Sequence, residues 1–103
     1  MMPLYAFYCR DGEQGTALRK KLLTEHLSHV EDHIDSFAVA GPLKQGDKTI
    51  GSLLVIKASD EADTREMFEA DPYFGAGVWQ SIRCEQFLGV AGDWVGGAAW
   101  KNG

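Results

Sequence analysis

The segment SLLVIKASDEADTREMFEADP, residues 52–72, holds a strand, a helix start and a helix end in one short stretch. Residues 52–57, Ser-Leu-Leu-Val-Ile-Lys, are centred on an apolar run of Leu, Val and Ile, which is typical of a strand. Ser59 is placed to cap a following helix, whose acidic first turn favours the helix N-terminus. This helix is predicted to reach about Ala70 and to end before the Asp-Pro pair at 71–72, because the residue before a proline resists helical geometry. A mixed α and β protein is therefore indicated.

A strand and a longer helix precede this unit. Residues 4–9 are short and rich in aromatic side chains, and they end at the turn signal Arg-Asp-Gly of residues 10–12, so they predict a first strand. From about residue 16 to residue 35 the apolar pattern changes to the period of a helix. The apolar stripe of that amphipathic helix, which we expect to face the core, consists of Leu23, Leu27, Val30 and Ile34.

Two further strands complete the pattern. Residues 37–40 predict a second strand, which the Gly-Pro pair at 41–42 is expected to stop and reverse. A polar turn at residues 45–48 leads into the strand at 52–57, so the second and third strands are expected to form a hairpin. The last strand is predicted from about residue 81 to residue 88.

The predicted order is β-α-β-β-α-β, which is the pattern of a ferredoxin-like α+β fold with an antiparallel sheet. The two helices of such a fold cover one face of the sheet. The first strand is apolar on both of its faces, with alternate residues in the sets Tyr5, Phe7, Cys9 and Leu4, Ala6, Tyr8. A second copy of the sheet is the simplest cover for the other face, so we predict a homodimer.

Length and composition predict a single domain over residues 1–103, and reduced cysteines together with the missing signal-peptide pattern predict the cytoplasm. The 103 residues are 45% hydrophobic and 24% charged, with a formal net charge of -5. Nucleic acid binding needs a basic face that neutralises phosphates, so no nucleic acid partner is predicted. No apolar run has the length of a transmembrane helix, and the N-terminus lacks the pattern of a signal peptide. Cys9 and Cys84 lie in strand-like segments and are predicted to be reduced core thiols.

The last residues, 89–103, differ from the rest of the chain. They contain five glycines, which argue against regular structure, and two tryptophans, which argue against a purely solvated tail. We expect this tail to pack over a neighbouring surface such as that of a partner subunit.

Several short segments of the chain resemble YCII-related proteins over about residues 3–88. They are Leu-Tyr-Ala-Phe-Tyr at 4–8, His-Leu at 26–27, Ala-Gly-Pro-Leu at 40–43, Gly-Ser at 51–52 and Ala-Asp-Pro-Tyr-Phe-Gly-Ala-Gly-Val at 70–78. The resemblance implies a dimeric α+β barrel, related in architecture to muconolactone isomerases. It also implies a site in which His26 meets Asp71, with a small-molecule ligand and no cofactor. Tyr73, Arg19 and Pro42 are the candidate substrate-binding residues. Many family members have an arginine three or four residues before the histidine, whereas Arg19 lies seven residues before His26.

An imidazole beside a carboxylate is suited to general base catalysis, because the carboxylate orients one ring nitrogen and favours the protonated ring. The reactions that fit are isomerisation, lactone chemistry and eliminations such as dehydrochlorination. Asp71 would equally serve a turn that ends a helix, and His26 could simply lie at the edge of the core. A ligand-binding or accessory module without catalysis is therefore an alternative.

Three histidines on the first helix suggest a further alternative. His26, His29 and His33 share one flank of the helix by their spacing, so they could hold a metal ion with a carboxylate. A row of surface histidines is the simpler interpretation, and no metal ligand is predicted among them. Phe74 and Trp79 could line an aromatic pocket or pack in the core.

Overall fold

The structure is a computed structural model that describes residues 2–101. Four strands form the main sheet, two helices connect them, and a short helix follows the second of these. The elements are β1 Leu4–Asp11, α1 Gly15–Asp32, β2 Phe37–Gln45, β3 Lys48–Lys57, α2 Glu61–Glu69, α3 Pro72–Ala76 and β4 Trp79–Phe87. Two very short strands in the tail, β5 Ala91–Gly92 and β6 Gly97–Ala98, form a separate hairpin.

The main sheet is antiparallel, with the strand order β2-β3-β1-β4. This topology confirms the predicted ferredoxin-like α+β fold with its β-α-β-β-α-β order. The short helix α3 was not predicted, because its Pro-Tyr-Phe-Gly-Ala sequence is too brief to show a period. None of the helices within residues 2–101 is long and apolar enough to cross a membrane.

The prediction that residues 41–42 stop the second strand is wrong. Strand β2 continues to Gln45, with Gly41 opposite Leu53 and Pro42 opposite Ser52. A proline is tolerated there because β2 is an edge strand, where one side of the backbone needs no donor. The chain instead reverses at the predicted polar turn, where Gly46 has a φ of 60°.

The prediction that the stripe of Leu23, Leu27, Val30 and Ile34 faces the core is also wrong. The residues of α1 that pack against the core are Leu18 and Leu22, whereas Leu23 is 50% exposed and Leu27 is 47% exposed. The helix ends at Asp32, so Ile34 lies beyond it in a single turn of 3₁₀ helix. Periodicity identified an apolar face of the helix, but not the surface that this face meets.

The helix cap predicted at Ser59 lies one residue later. Asp60 has extended backbone geometry, and its side chain accepts a hydrogen bond from the backbone N–H of Asp63 at 2.9 Å. The Ser59 hydroxyl donates instead to the side chain of Asp63. Both residues are good caps, so the local sequence alone did not separate them.

The core lies between the sheet and its helices. Phe7 of β1 stacks on Phe68 of α2 with ring centroids 4.3 Å apart, and Phe68 stacks in turn on Trp79 at 5.3 Å. Phe74 packs against the same cluster, so core packing is the correct interpretation for Phe74 and Trp79. Cys9 is free and fully buried, and burial raises the pKa of its thiol to about 12.

The opposite face of the sheet is partly covered by the tail. Val55 is only 5% exposed although it lies outside the main core cluster. It contributes to a groove of 430 Å³ between the sheet and tail residues such as Trp94. The tail is more regular than expected, because it contains the β5–β6 hairpin, and Trp94 remains 84% exposed. The homodimer predicted from this apolar face stays a prediction.

Candidate active site

His26 and Asp71 lie in hydrogen-bond contact, although 45 residues separate them in the chain. The Nδ1 atom of His26 is 2.9 Å from Oδ1 and 2.8 Å from Oδ2 of Asp71. The Asp71 side chain is 1% exposed and that of His26 is 17% exposed, so the carboxylate lies behind the ring. This arrangement fixes the Nδ1 edge of the imidazole against the protein and leaves Nε2 as the nitrogen that a ligand can reach.

Local sequence explains why Asp71 occupies this position. It is the N-cap of α3, with Pro72 at the first position of the helix, and its Oδ1 accepts the backbone N–H of Tyr73 at 2.9 Å. Proline suits the first helical position because its missing N–H would have no partner there. Asp71 therefore caps the start of α3 and contacts His26 with the same carboxylate. The interpretation of Asp71 as a turn residue and its predicted pairing with His26 are both consistent with this geometry.

Tyr73 packs against one face of the His26 ring. Its ring stacks on the His26 ring at a centroid distance of 3.8 Å and an interplanar angle of 3°. The Tyr73 hydroxyl donates to the backbone carbonyl of Arg19 at 3.2 Å, and burial raises its pKa. The Tyr73 hydroxyl thus joins α3 to α1, and its ring, which stacks on His26, is the part of Tyr73 that lies at the cleft.

Arg19 lies on the same side of α1 as His26, because seven residues are about two helical turns. Its guanidinium donates to both carboxylate oxygens of Asp11, at 2.8 and 2.9 Å, and also to the Ser52 hydroxyl at 2.8 Å. A fourth hydrogen bond, of 3.0 Å, reaches the carbonyl of Gly51. Such a bidentate pair holds the planar cation in one orientation.

The side chains described above lie around a cleft of 290 Å³ between α1 and the sheet. Of the five predicted site residues, Arg19, His26, Pro42 and Tyr73 line the cleft, and Asp71 lies behind His26. The residues that sequence reasoning missed are Asp11, Ser52, Leu23 and Leu27. Asp11 had been assigned to a turn, Ser52 to a strand end and the two leucines to the core, so no local signal marked them as site residues.

The helix histidines do not converge on a metal site. His33 Nδ1 bonds to the backbone carbonyl of His29 at 2.8 Å, and the rings of the two residues lie 4.6 Å apart. Burial is the main cause that lowers the pKa of His29. Within residues 2–101 no group of three His, Cys, Asp or Glu side chains is placed to hold a metal ion.

Comparison with known proteins gives the class of this chain. A model of the YCII-related domain matches residues 3–88, and the chain therefore belongs to the YCII-related family. A similar solved structure is that of 5-chloro-2-hydroxyhydroquinone dehydrochlorinase from Burkholderia phenoliruptrix, in complex with 2,5-dihydroxybenzoquinone. It has a TM-score of 0.75 and 23% identity, and the match covers 87% of this chain and 96% of that one.

A second solved structure that resembles this chain is a protein of unknown function from Nitrosomonas europaea. Its TM-score is 0.51 with 19% identity, and the match covers 87% of this chain and 93% of that one. No curated protein matches the chain significantly. At these identities the two structures establish a shared α+β fold.

Proposed function

We propose that this protein is a cofactor-independent enzyme that performs acid–base chemistry on a small hydroxylated ring, with His26 as general base and Asp71 as its orienting partner. The observation that carries the proposal is the contact of both Asp71 oxygens with Nδ1 of His26, at 2.9 and 2.8 Å. This contact leaves the other ring nitrogen for a ligand in the cleft.

The proton positions follow from the donor and acceptor chemistry of the pair. An ionised carboxylate only accepts hydrogen bonds, so Nδ1 carries the proton and Nε2 presents its lone pair. When Nε2 takes a proton from the substrate, the buried carboxylate of Asp71 stabilises the imidazolium that forms. A positioned base of this kind typically contributes a factor of about 10² to 10⁴ in rate.

The opposite end of the cleft is suited to negative charge. Arg19 is held by Asp11 and Ser52, and it lines the cleft together with His26. A guanidinium fixed in advance stabilises an oxygen that becomes anionic during the reaction without having to reorient. Tyr73 and Pro42 border the same space, so we assign them to substrate positioning.

An elimination of HCl from a chlorinated, hydroxylated ring fits these groups. A hydroxyl proton first moves to the carbon that bears chlorine, through Nε2 of His26. A second hydroxyl proton then goes to the base while chloride leaves with the electron pair of its bond, and a quinone is formed. Protons and electrons balance without a redox partner. The dehydrochlorinase of similar fold supports this choice of substrate class.

A substrate panel tests the proposal. Chlorinated hydroquinones, hydroxyquinones, catechols and small lactones are offered to the wild-type protein, with chloride release, ultraviolet spectra and thermal shift as readouts. Ala40→Phe fills the cleft from an exposed position of β2, and turnover is expected to fall at least tenfold. Ala62→Phe places the same side chain on an exposed position of α2 as the control. Binding without turnover of any compound would instead assign the chain to the non-catalytic alternative.

We also infer that the chain pairs into a homodimer through the open face of its sheet and works in the cytoplasm, where free thiols such as Cys9 and Cys84 persist. Exposed apolar residues at this face support the pairing, among them Tyr8 and Phe87.

Light scattering is expected to give twice the mass of one chain. Phe87→Glu should raise the dimer dissociation constant by about tenfold or more, because it buries a charge. The matched control is Ile34→Glu, at another exposed apolar residue. Equal effects of both variants would contradict this interface.

A further inference from the structure

We propose that one wall of the cleft is a subsite for an uncharged, apolar ring substituent, and that Leu23 and Leu27 determine this specificity. The inference deepens the proposed function and rests on it in one respect, namely that the ring of the ligand lies beside His26. It assigns the substrate class more narrowly, as a single hydroxylated ring with an alkyl, halogen or similar substituent.

The exposure of the two leucines is the first observation. Leu23 and Leu27 are 50% and 47% exposed, on a helix whose contact with the core is made by Leu18 and Leu22. About half of the surface of each exposed leucine is therefore left free to contact a ligand. Both leucines line the same cavity as His26, so a ligand held by the histidine would cover them. An apolar wall of this kind favours binding because the ligand and the two leucines bury apolar surface against each other.

The shape of the cleft supplies the second observation. Arg19, Leu23, His26 and Val30 follow one another along one face of α1, and a helix rises 1.5 Å per residue, so they span about 16 Å. In this row Leu23 lies between Arg19 and His26, and Leu27 lies directly after His26, so the helix wall of the cleft sets apolar side chains beside both polar groups. The cleft volume of 290 Å³ lies at the lower end of ligand pockets, which run from about 300 to 1,000 Å³, so it fits one ring.

The charges around the cleft supply the third observation. Among the lining residues that the structure describes, the ionisable side chains that can carry positive charge are Arg19 and His26. Both already face a carboxylate, from Asp11 and Asp71 respectively. A second anionic group on the ligand, placed against the two leucines, would lose its hydration without gaining an unpaired cation. The leucine wall thus selects against a carboxylate and in favour of a hydrocarbon or halogen.

A matched ligand series tests the subsite by isothermal titration calorimetry. The ligands are catechol, 4-methylcatechol, 4-ethylcatechol and 3,4-dihydroxybenzoate, which differ only in one ring substituent. Each added carbon is expected to tighten binding by up to about fourfold, which is the value of one buried methylene group. The carboxylated ligand is expected to bind more weakly than catechol itself.

Variants at the wall separate this subsite from the rest of the cleft. Leu23→Ser and Leu27→Ser should each lose most of the gain from the alkyl group, measured within each variant as the ratio of the affinities for 4-ethylcatechol and catechol. Leu27→Lys should reverse the preference and bind 3,4-dihydroxybenzoate more tightly than 4-ethylcatechol. Ile34→Ser is the control, since Ile34 is also an exposed apolar residue but does not line the cleft.

The outcomes distinguish this inference from the proposed function. Alkyl catechols that bind no tighter than catechol, or a gain that survives both serine variants, would overturn the subsite even if the protein turns over its substrates. Failure of the whole series to bind at millimolar concentration would overturn it as well. A gain that depends on Leu23 and Leu27 in a protein without any turnover would support the subsite and remove the enzyme assignment.

Discussion

Asp71→Asn is expected to lower kcat of the proposed reaction by about 10³-fold while the protein stays folded. Asparagine is as good an N-cap as aspartate, so the hydrogen bond from the backbone N–H of Tyr73 can persist. The amide group, however, can donate to Nδ1 of His26, which then has to be the unprotonated nitrogen. The proton moves to Nε2, and the nitrogen that faces the cleft no longer has a lone pair for the substrate.

The stabilities of two variants at Asp71 separate a loss of histidine orientation from a loss of folding. Thermal unfolding should place the stability of Asp71→Asn within about 1 kcal/mol of wild type, because the cap is preserved. Asp71→Ala, which removes both the cap and the histidine contact, should lose about 1 to 3 kcal/mol more, as a fully buried donor is left without a partner.

His26→Gln provides the companion variant, because glutamine can keep a hydrogen bond to Asp71 but has no basic nitrogen. Its kcat is expected to fall at least as far as that of Asp71→Asn. The double variant should be no worse than His26→Gln alone, since the two residues act as a unit. Independent, multiplicative losses, or an Asp71→Asn protein of nearly wild-type kcat, would rule out the His26–Asp71 pair as the catalytic base.

Gly51→Ala is expected to destabilise the fold by about 3 kcal/mol. Gly51 lies in the central strand β3, opposite Arg10, and a Cβ at this position would overlap the backbone carbonyl oxygen of Cys9. A backbone carbonyl inside a sheet cannot move aside as a flexible side chain can, so β1 and β3 would have to separate. That loss is a large fraction of the roughly 5 to 15 kcal/mol that stabilises a domain of this kind.

Gly41→Ala is the matched control, because Gly41 lies on the neighbouring strand β2 and a Cβ there meets no atom within 4 Å. Chemical denaturation of the two variants should show a normal midpoint for Gly41→Ala and a strongly lowered midpoint for Gly51→Ala. The Gly51 carbonyl also accepts a hydrogen bond from Arg19 at 3.0 Å, so any folded Gly51→Ala protein should bind ligands more weakly. Equal midpoints for both variants would contradict the close approach of β1 and β3.

The elements with strong local signals were predicted correctly. The apolar run at 52–57, the acidic helix start after it and the proline at position 72 all lie within a few residues of the observed boundaries. Those signals act between neighbours in the chain, through backbone geometry and capping, and they survive in any tertiary context. The ferredoxin-like order of elements could be predicted for the same reason.

Partners that are distant in the chain could not be predicted in this way. Arg19 was a candidate only through the family resemblance, and its orientation depends on Asp11 and on Ser52, which is 33 residues away. Whether β2 stops at Gly41 or passes through Pro42 depends on its place at the edge of the sheet. A residue pattern contains no information on which strand will be an edge.

The sequence by itself determined the order of β1–β4 with α1 and α2, the family and, through the family resemblance, the candidate pair of His26 and Asp71. Tertiary structure alone decided the geometry in which these two residues meet, that Leu18 rather than Leu23 enters the core, and that the exposed leucines therefore become a wall of the cleft. The physical reason is that backbone propensity and capping are local interactions. Burial, by contrast, depends on which surfaces meet when distant parts of the chain pack together.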